Sequence, residues 1–129
     1  MWGPVFFISH FAVKDGKLEE LRRFVAEMGT ELQAGKPRTF AYLMYLDDEG
    51  TQLTIVHGFP DAEAMDVHFE GSDERSAAAY ELIEPRGWEI YGPASDGALE
   101  GMRREAAESS VPLTVRPEPT GGFLRLQPA

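Results

Sequence analysis

The chain has 129 residues, enough for one domain with a real core, since folding at this length buries roughly two-thirds of the extended-chain surface. Hydrophobic residues make up 43% and charged residues 26%, as in ordinary soluble globular domains. Twelve Lys and Arg face 22 Asp and Glu, a net charge of −10 that repels phosphate backbones and anionic bilayers and so argues against a nucleic-acid or membrane partner; the absence of cysteine excludes a disulfide scaffold, a thiolate metal site and a cysteine nucleophile.

Gly3-Pro4 punctuates the start of a Phe-, Val- and Ile-rich run, Val5 to Val13, that reads as a strand. Alternation sets Val5, Phe7, Ser9, Phe11 and Val13 on one face and Phe6, Ile8, His10 and Ala12 on the other. Both faces are mostly apolar, as in a central strand covered on both sides. Lys14-Asp15-Gly16 is a turn. Leu18, Leu21, Phe24, Val25, Met28 and Leu32 then recur at helical spacing, with Glu19 and Glu20 in the first turn and Gly35 and Pro37 as the stop.

Thr39 to Asp47 alternates Phe40, Tyr42, Met44 and Leu46 against Ala41, Leu43 and Tyr45. Asp48-Glu49-Gly50 supplies a tight turn, and Gln52 to Phe59 returns as the second arm of a hairpin with Leu53, Ile55, His57 and Phe59 on one face. Asp61 is placed to cap a second helical region in which Met65, His68 and Phe69 share a side. Gly71-Ser72 interrupts it, and Ser72 is expected to recap a helix through Ala77, Tyr80 and Ile83, stopped by Pro85. Trp88 to Gly92 reads as a short fourth strand.

The order β-α-β-β-α-β is that of the ferredoxin-like split βαβ plan, an α+β fold with an antiparallel sheet and both helices on one face. The helix-free face then carries Phe6, Ile8, Leu43, Tyr45 and Val56. An apolar face of that size calls for a partner, and packing against a second copy of the sheet is the simplest one.

Residues 1–93 hold 17 acids and 8 bases, and residues 94–129 hold 5 acids and 4 bases. This shift coincides with the Gly-Pro-Ala-Ser-Asp-Gly stretch at 92–97. It divides the chain into a main domain, 1–93, and a C-terminal extension, 94–129. In the extension Ser95 can cap a helix through Leu99, Met102 and Ala106. Leu113 to Arg116 and Phe123 to Leu126 are expected to form two short strands. Neither the narrow helix nor an isolated hairpin is stable alone, so the extension must pack on the domain or on a dimer partner; docking across the dimer is favoured over a lid on the pocket mouth. No run resembles a signal-peptide core or approaches the ~20 apolar residues of a membrane span, so a cytoplasmic protein is the expectation.

The run Phe7 to Leu21 (Phe-Ile-Ser-His-Phe-Ala-Val-Lys-Asp-Gly-Lys-Leu-Glu-Glu-Leu) resembles the opening of antibiotic biosynthesis monooxygenase domains. The hairpin around Tyr42 to Val56, and Pro60 to Met65 followed by His68, resemble what comes after it. The resemblance covers roughly residues 5–92 and implies a homodimeric α+β barrel joined through the helix-free sheet faces. Some members of that family oxidise anthrone- or hydroquinone-like aromatics without metal or flavin, and some degrade haem. The haem degraders use an Asn, a Trp and a His where this chain has Ser9, His57 and about Tyr80, so haem degradation is not implied. The expected activity is a cofactor-independent monooxygenase on a small aromatic substrate. The alternative is a non-catalytic barrel that binds a small apolar or aromatic ligand, or a purely structural one whose interior is filled by Phe24, Met28, Met65 and Phe69.

His57 and His68 are the candidate catalytic residues. An imidazole near neutrality can remove a phenolic proton so that the anion reacts with O2. For His57 the competing reading is a buried histidine bonded to a backbone carbonyl, and for His68 a helix-packing one. Ser9, Tyr42, Tyr80 and Trp88 are candidate substrate-binding residues, although aromatics at this spacing are more often core. His10 is expected on the opposite sheet face and is assigned no chemistry. The three histidines, even with Asp66 or Glu70, match no metal-ligand spacing, so no metal or other cofactor is expected.

Overall fold

The computed structural model describes residues 3–125. Nine elements follow one another: β1 (Val5–Val13), α1 (Leu18–Gly35), β2 (Ala41–Leu46), β3 (Gln52–Phe59), α2 (Ala62–Phe69), α3 (Ser72–Ala79), β4 (Ile83–Tyr91), α4 (Asp96–Ser109) and β5 (Leu113–Arg116). The first seven realise the ferredoxin-like α+β plan, with α2 and α3 as two pieces of its second helical region. The sheet order is β2-β3-β1-β4-β5, antiparallel except for β5, which runs parallel to β4.

Pairing register sets the rows of side chains that the helices cover. Tyr42, His57, Phe7 and Ile90 stand side by side on β2, β3, β1 and β4; Met44, Ile55, Ser9 and Trp88 form the next row. Cross-strand neighbours of this kind have Cβ atoms about 5 Å apart. The strand alternation read for β1 holds: Val5, Phe7, Ser9 and Phe11 are buried, while Phe6, Ile8 and His10 are half-exposed. The buried row residues join Leu21 of α1, Ala64 and Met65 of α2, and Ala98, Met102 and Ala106 of α4 in one core. Among the described residues no helix covers the opposite sheet face, leaving Leu43 48% and Tyr45 55% exposed.

Several local expectations hold for the stated reasons. The Asp61 side chain caps α2 by accepting from the Ala64 N–H at 2.8 Å, and Ser95 caps α4 by accepting from the Ala98 N–H at 3.1 Å. In the hairpin turn the Asp47 carboxylate accepts from the Thr51 and Gln52 N–H groups, which holds its pKa below the usual carboxylate range.

Others are corrected. The helix expected to reach Ile83 stops at Ala79, and β4 starts at Ile83 rather than near Trp88. Leu82 and Ile83 are buried against the sheet, where tertiary contact outweighs helical spacing. Pro85, read as a helix stop, lies inside β4 at a bulge: Phe11 pairs with Pro85 and His10 with Gly87, leaving Arg86 as the extra residue. A bulge tolerates a residue without an N–H donor. Ser72 does not cap α3; the N-cap is Gly71 in the left-handed region at φ 80°. The second strand of the extension does not form over residues 123–125, and Leu126 lies outside the described residues. Within the chain, the extension packs on its own domain: β5 covers the β4 edge (Trp88 beside Leu113, Ile90 beside Val115), and α4 buries its apolar side in the domain core.

Candidate functional site

Between the sheet and the helices lies a cavity of about 630 Å³, within the size range of small-molecule sites. Ser9, Tyr42, His57, His68, Tyr80 and Trp88 all line it. The residues expected to fill it divide: Met65 is fully buried in the core, while Phe24, Met28 and Phe69 form walls of open space. The extension contributes too, with Ala98, Met102 and Glu105 of α4 closing one side.

His57 sits on β3 next to Phe7 in register, and its Nδ1–H donates to the Phe7 carbonyl at 2.9 Å. The carbonyl can only accept, so Nδ1 carries the proton and Nε2 is left as the basic nitrogen. The backbone-bonded reading of His57 is therefore correct, and the bond also orients the ring. Desolvation lowers the His57 pKa to about 4, so the ring rests neutral.

His68 reaches the same place from α2. Its Nδ1 shares a 2.7 Å hydrogen bond with the Thr39 hydroxyl, and desolvation, with His57 and Arg75 close by, lowers its pKa to about 3. The two imidazole centroids are 5.3 Å apart at 81°, and the Tyr42 ring lies 5.1 Å from His57 and 5.8 Å from His68. Burial raises the Tyr42 pKa, which keeps its hydroxyl protonated. Among the described residues no fully buried side-chain nitrogen or oxygen lacks a partner. The unbonded Nε2 atoms of His57 and His68, the Tyr42 hydroxyl and the Ser9 hydroxyl therefore reach open space, and the space these four residues line is the cavity.

Ser9 and Trp88 lie one row along the sheet from His57, and Tyr80 stands at the α4 side. The Tyr80 hydroxyl donates to Glu105 at 2.7 Å, and burial with this carboxylate raises its pKa far above the usual phenol value. The site also holds residues that sequence reasoning missed. Thr39 orients His68. Lys36 and Arg75 bind the last carbonyls of α2: Lys36 Nζ donates to Val67 and Glu70 oxygens at 2.7 and 3.0 Å, and Arg75 donates to those of His68 and Glu70 at 2.5 and 3.0 Å. Gly71 makes room for Arg75, since a Cβ there would stand 3.3 Å from Arg75 Nη1. No spacing rule links Thr39, Lys36 and Arg75 to His68; the α1–β2 connection brings Lys36 and Thr39 to it, and the turn from α2 into α3 brings Arg75. His10 lies on the open sheet face, 2.5 Å from Glu89, as its strand parity required. No three His, Asp or Glu side chains among the described residues converge to hold a metal ion.

The architecture is that of the antibiotic biosynthesis monooxygenase-like α+β proteins. Similar solved structures include a candidate antibiotic biosynthesis monooxygenase from Caulobacter crescentus (TM-score 0.52, 18% identity, 61% of this chain and 74% of that one). SnoaB, a cofactor-independent oxygenase from Streptomyces nogalater, matches at TM-score 0.59 and 14% identity over 72% of this chain and 95% of its own. MupZ from Pseudomonas fluorescens matches at TM-score 0.72 and 19% identity over 96% of each chain. Residues 1–93 are about 72% of the chain, so the likeness to MupZ must run well into the extension. No protein-family model matches the sequence, and no curated protein matches it. At these identities the likeness defines the fold and not the reaction. No helix among the described residues is long and apolar enough to cross a membrane.

Proposed function

We propose that this protein is a cofactor-independent monooxygenase that acts on a planar phenol-, quinol- or anthrone-type substrate held in the sheet–helix cavity. One observation carries the reading: His57 Nε2, fixed as the basic nitrogen by the Phe7 carbonyl, in a cavity also walled by Phe7, Phe24 and Phe69. The fold shared with SnoaB, a cofactor-independent oxygenase, supports it.

In the proposed reaction, written for an anthrone-type substrate, His57 Nε2 takes a proton from the activated CH2 opposite the ring carbonyl, and Tyr42 donates a hydrogen bond to the oxygen where negative charge collects. The carbanion passes one electron to O2, and the two radicals combine into a C–O bond. The imidazolium returns its proton to the peroxide. Loss of the second C–H proton and cleavage of the O–O bond leave a carbonyl and one water. CH2 and O2 thus give C=O and H2O, with the substrate as the only reductant.

The His57 pKa bears on feasibility. Proton transfer from an acid of pKa about 10 to a base of pKa about 4 is uphill by about 8 kcal/mol. An imidazolium–anion pair about 3 Å apart recovers about 5 kcal/mol at an effective dielectric near 20. The remainder is small beside the roughly 16 kcal/mol barrier of a step running at about 10 per second. The low basicity of His57 favours the second reading, a non-catalytic carrier of the same ligands.

Oxygen uptake with anthrones and quinols separates the two. The enzyme reading expects chelator-insensitive turnover that falls about 10²- to 10⁴-fold in His57→Gln while ligand binding persists. Binding without oxygen uptake establishes the carrier. We further propose that the working unit is a homodimer joined through the sheet face that exposes Leu43 and Tyr45. Light scattering should then give about twice the 14.3 kDa chain mass, and a monomer refutes it.

A further inference from the structure

The cavity carries a charge asymmetry that the oxygenase reading does not use. Its lining includes five ionisable groups besides the histidines and tyrosines: Asp73, Arg75, Arg104, Glu105 and Glu108. Glu105 is engaged by the Tyr80 hydroxyl. Arg104 is exposed and lies 3.6 Å from Glu100. Asp73 and Glu108 are exposed, where water screens them. Arg75 is the half-buried cation of the lining, and none of the ion pairs among the described residues gives it a carboxylate partner.

Its guanidinium is held on the His68 and Glu70 carbonyls, so its position is fixed by α2. Two of its five N–H donors are used this way, and the planar fork retains donors for a further acceptor. It stands at the histidine end of the cavity, where its positive charge opposes protonation of His57 and His68 and favours ionisation of Tyr42. The polar end of the cavity is therefore two neutral imidazoles, a neutral phenol and the Arg75 cation, with the Lys36 ammonium behind it on the same α2 carbonyls, in a protein of net charge −10.

We propose that Arg75 is a specificity residue that selects ligands bearing an anionic group, a carboxylate or sulfonate, on an aromatic frame. The anion pairs with the guanidinium while the rings lie against Phe7, Phe24 and Phe69. Capping α2 is the competing role of Arg75: it shares the Glu70 carbonyl with Lys36 and alone reaches the His68 carbonyl, so the test must separate a ligand role from a cap.

This inference rests on the cavity being the ligand site, and its test needs no turnover, so its failure and that of the oxygenase reading are distinguishable. The probes are 8-anilinonaphthalene-1-sulfonate and N-phenyl-1-naphthylamine, which share one ring system and differ by the sulfonate. Wild type should bind the sulfonate about tenfold tighter, as expected of a charge-assisted hydrogen bond. Arg75→Gln should remove that preference and leave the neutral probe within about twofold, whereas Arg75→Lys should keep most of it. Leu43 and Tyr45 lie on the other side of the sheet, so an Arg75-dependent difference reports the cavity and not the open face. If Arg75→Gln does not fold, Ser72→Glu serves instead: it sets a carboxylate three residues before Arg75 on the same lining and in the first turn of α3, where acids are favoured. It should lower the preference equally. No wild-type preference, an unchanged preference in Arg75→Gln (or in Ser72→Glu where that variant is used), or equal loss of both probes would overturn the proposal; equal loss would leave Arg75 as a helix cap alone.

Discussion

The imidazoles of His57 and His68, one from a strand and one from a helix, meet edge to face with centroids 5.3 Å apart. Each is only a few per cent exposed, and each is anchored through Nδ1, to the Phe7 carbonyl and the Thr39 hydroxyl. Two neutral imidazoles can share an apolar wall in this way, but two imidazolium ions cannot.

That contact makes stability depend on pH. Both folded pKa values, about 4 and about 3, lie below the unfolded value near 6.5. The unfolded chain therefore binds more protons between these limits, and stability falls as pH drops below 6.5. By pH 5.5 the loss should be about 1 kcal/mol per histidine relative to pH 7. Urea midpoints at the two pH values should differ accordingly, and His68→Gln should reduce the difference. Asp47, Asp61 and Glu89, whose pKa values are lowered, act in a more acidic window.

Leu21 and Phe24 share the α1 stripe but not its energetics. Leu21 is 1% exposed in the core, so Leu21→Ala should cost about 2–5 kcal/mol. Phe24 is half-buried and borders the cavity, so Phe24→Ala should cost about 1 kcal/mol and alter ligand affinity instead. Denaturant unfolding of the two variants gives the comparison, and equal costs would contradict it.

Tyr80 and Glu105 tie α3 to α4 across one side of the cavity. Tyr80→Phe should lose about 1–2 kcal/mol, and the double variant with Glu105→Ala should lose little more than either single change. Amide exchange should quicken along α4 first if this bond latches the helix.

Truncation after Pro93 removes the partner strand of β4 and the buried side of α4. The exposed edge and the uncovered Met102 contact region favour association, so the shortened chain should aggregate or lose cooperative unfolding. A monodisperse product with unchanged melting would mean that the extension contributes nothing to the domain.

Much of the fold was legible because local rules sufficed. The period of 3.6 marked α1, the period of 2 marked β1 and the hairpin, and Asp61 and Ser95 announced their helices through capping chemistry. Strand parity alone sent His57 and His10 to opposite faces of the sheet. What local rules could not decide was where contact from elsewhere competes with them. Ile83 continues a helical stripe in sequence yet begins β4, with Leu82 buried just before it, because burial on the sheet outweighs propensity. Pro85 reads as a stop until the bulge opposite Phe11 supplies a place that needs no donor. The site followed the same division: strand parity and helix spacing supplied its histidines, whereas Thr39 reaches His68 through the α1–β2 connection, Arg75 through the α2–α3 turn, and Glu105 reaches Tyr80 through the docking of α4. Alternation and spacing are properties of neighbouring residues, so the sequence alone carries them; a cavity and its charge are properties of distant segments brought together, so only the tertiary structure decides them.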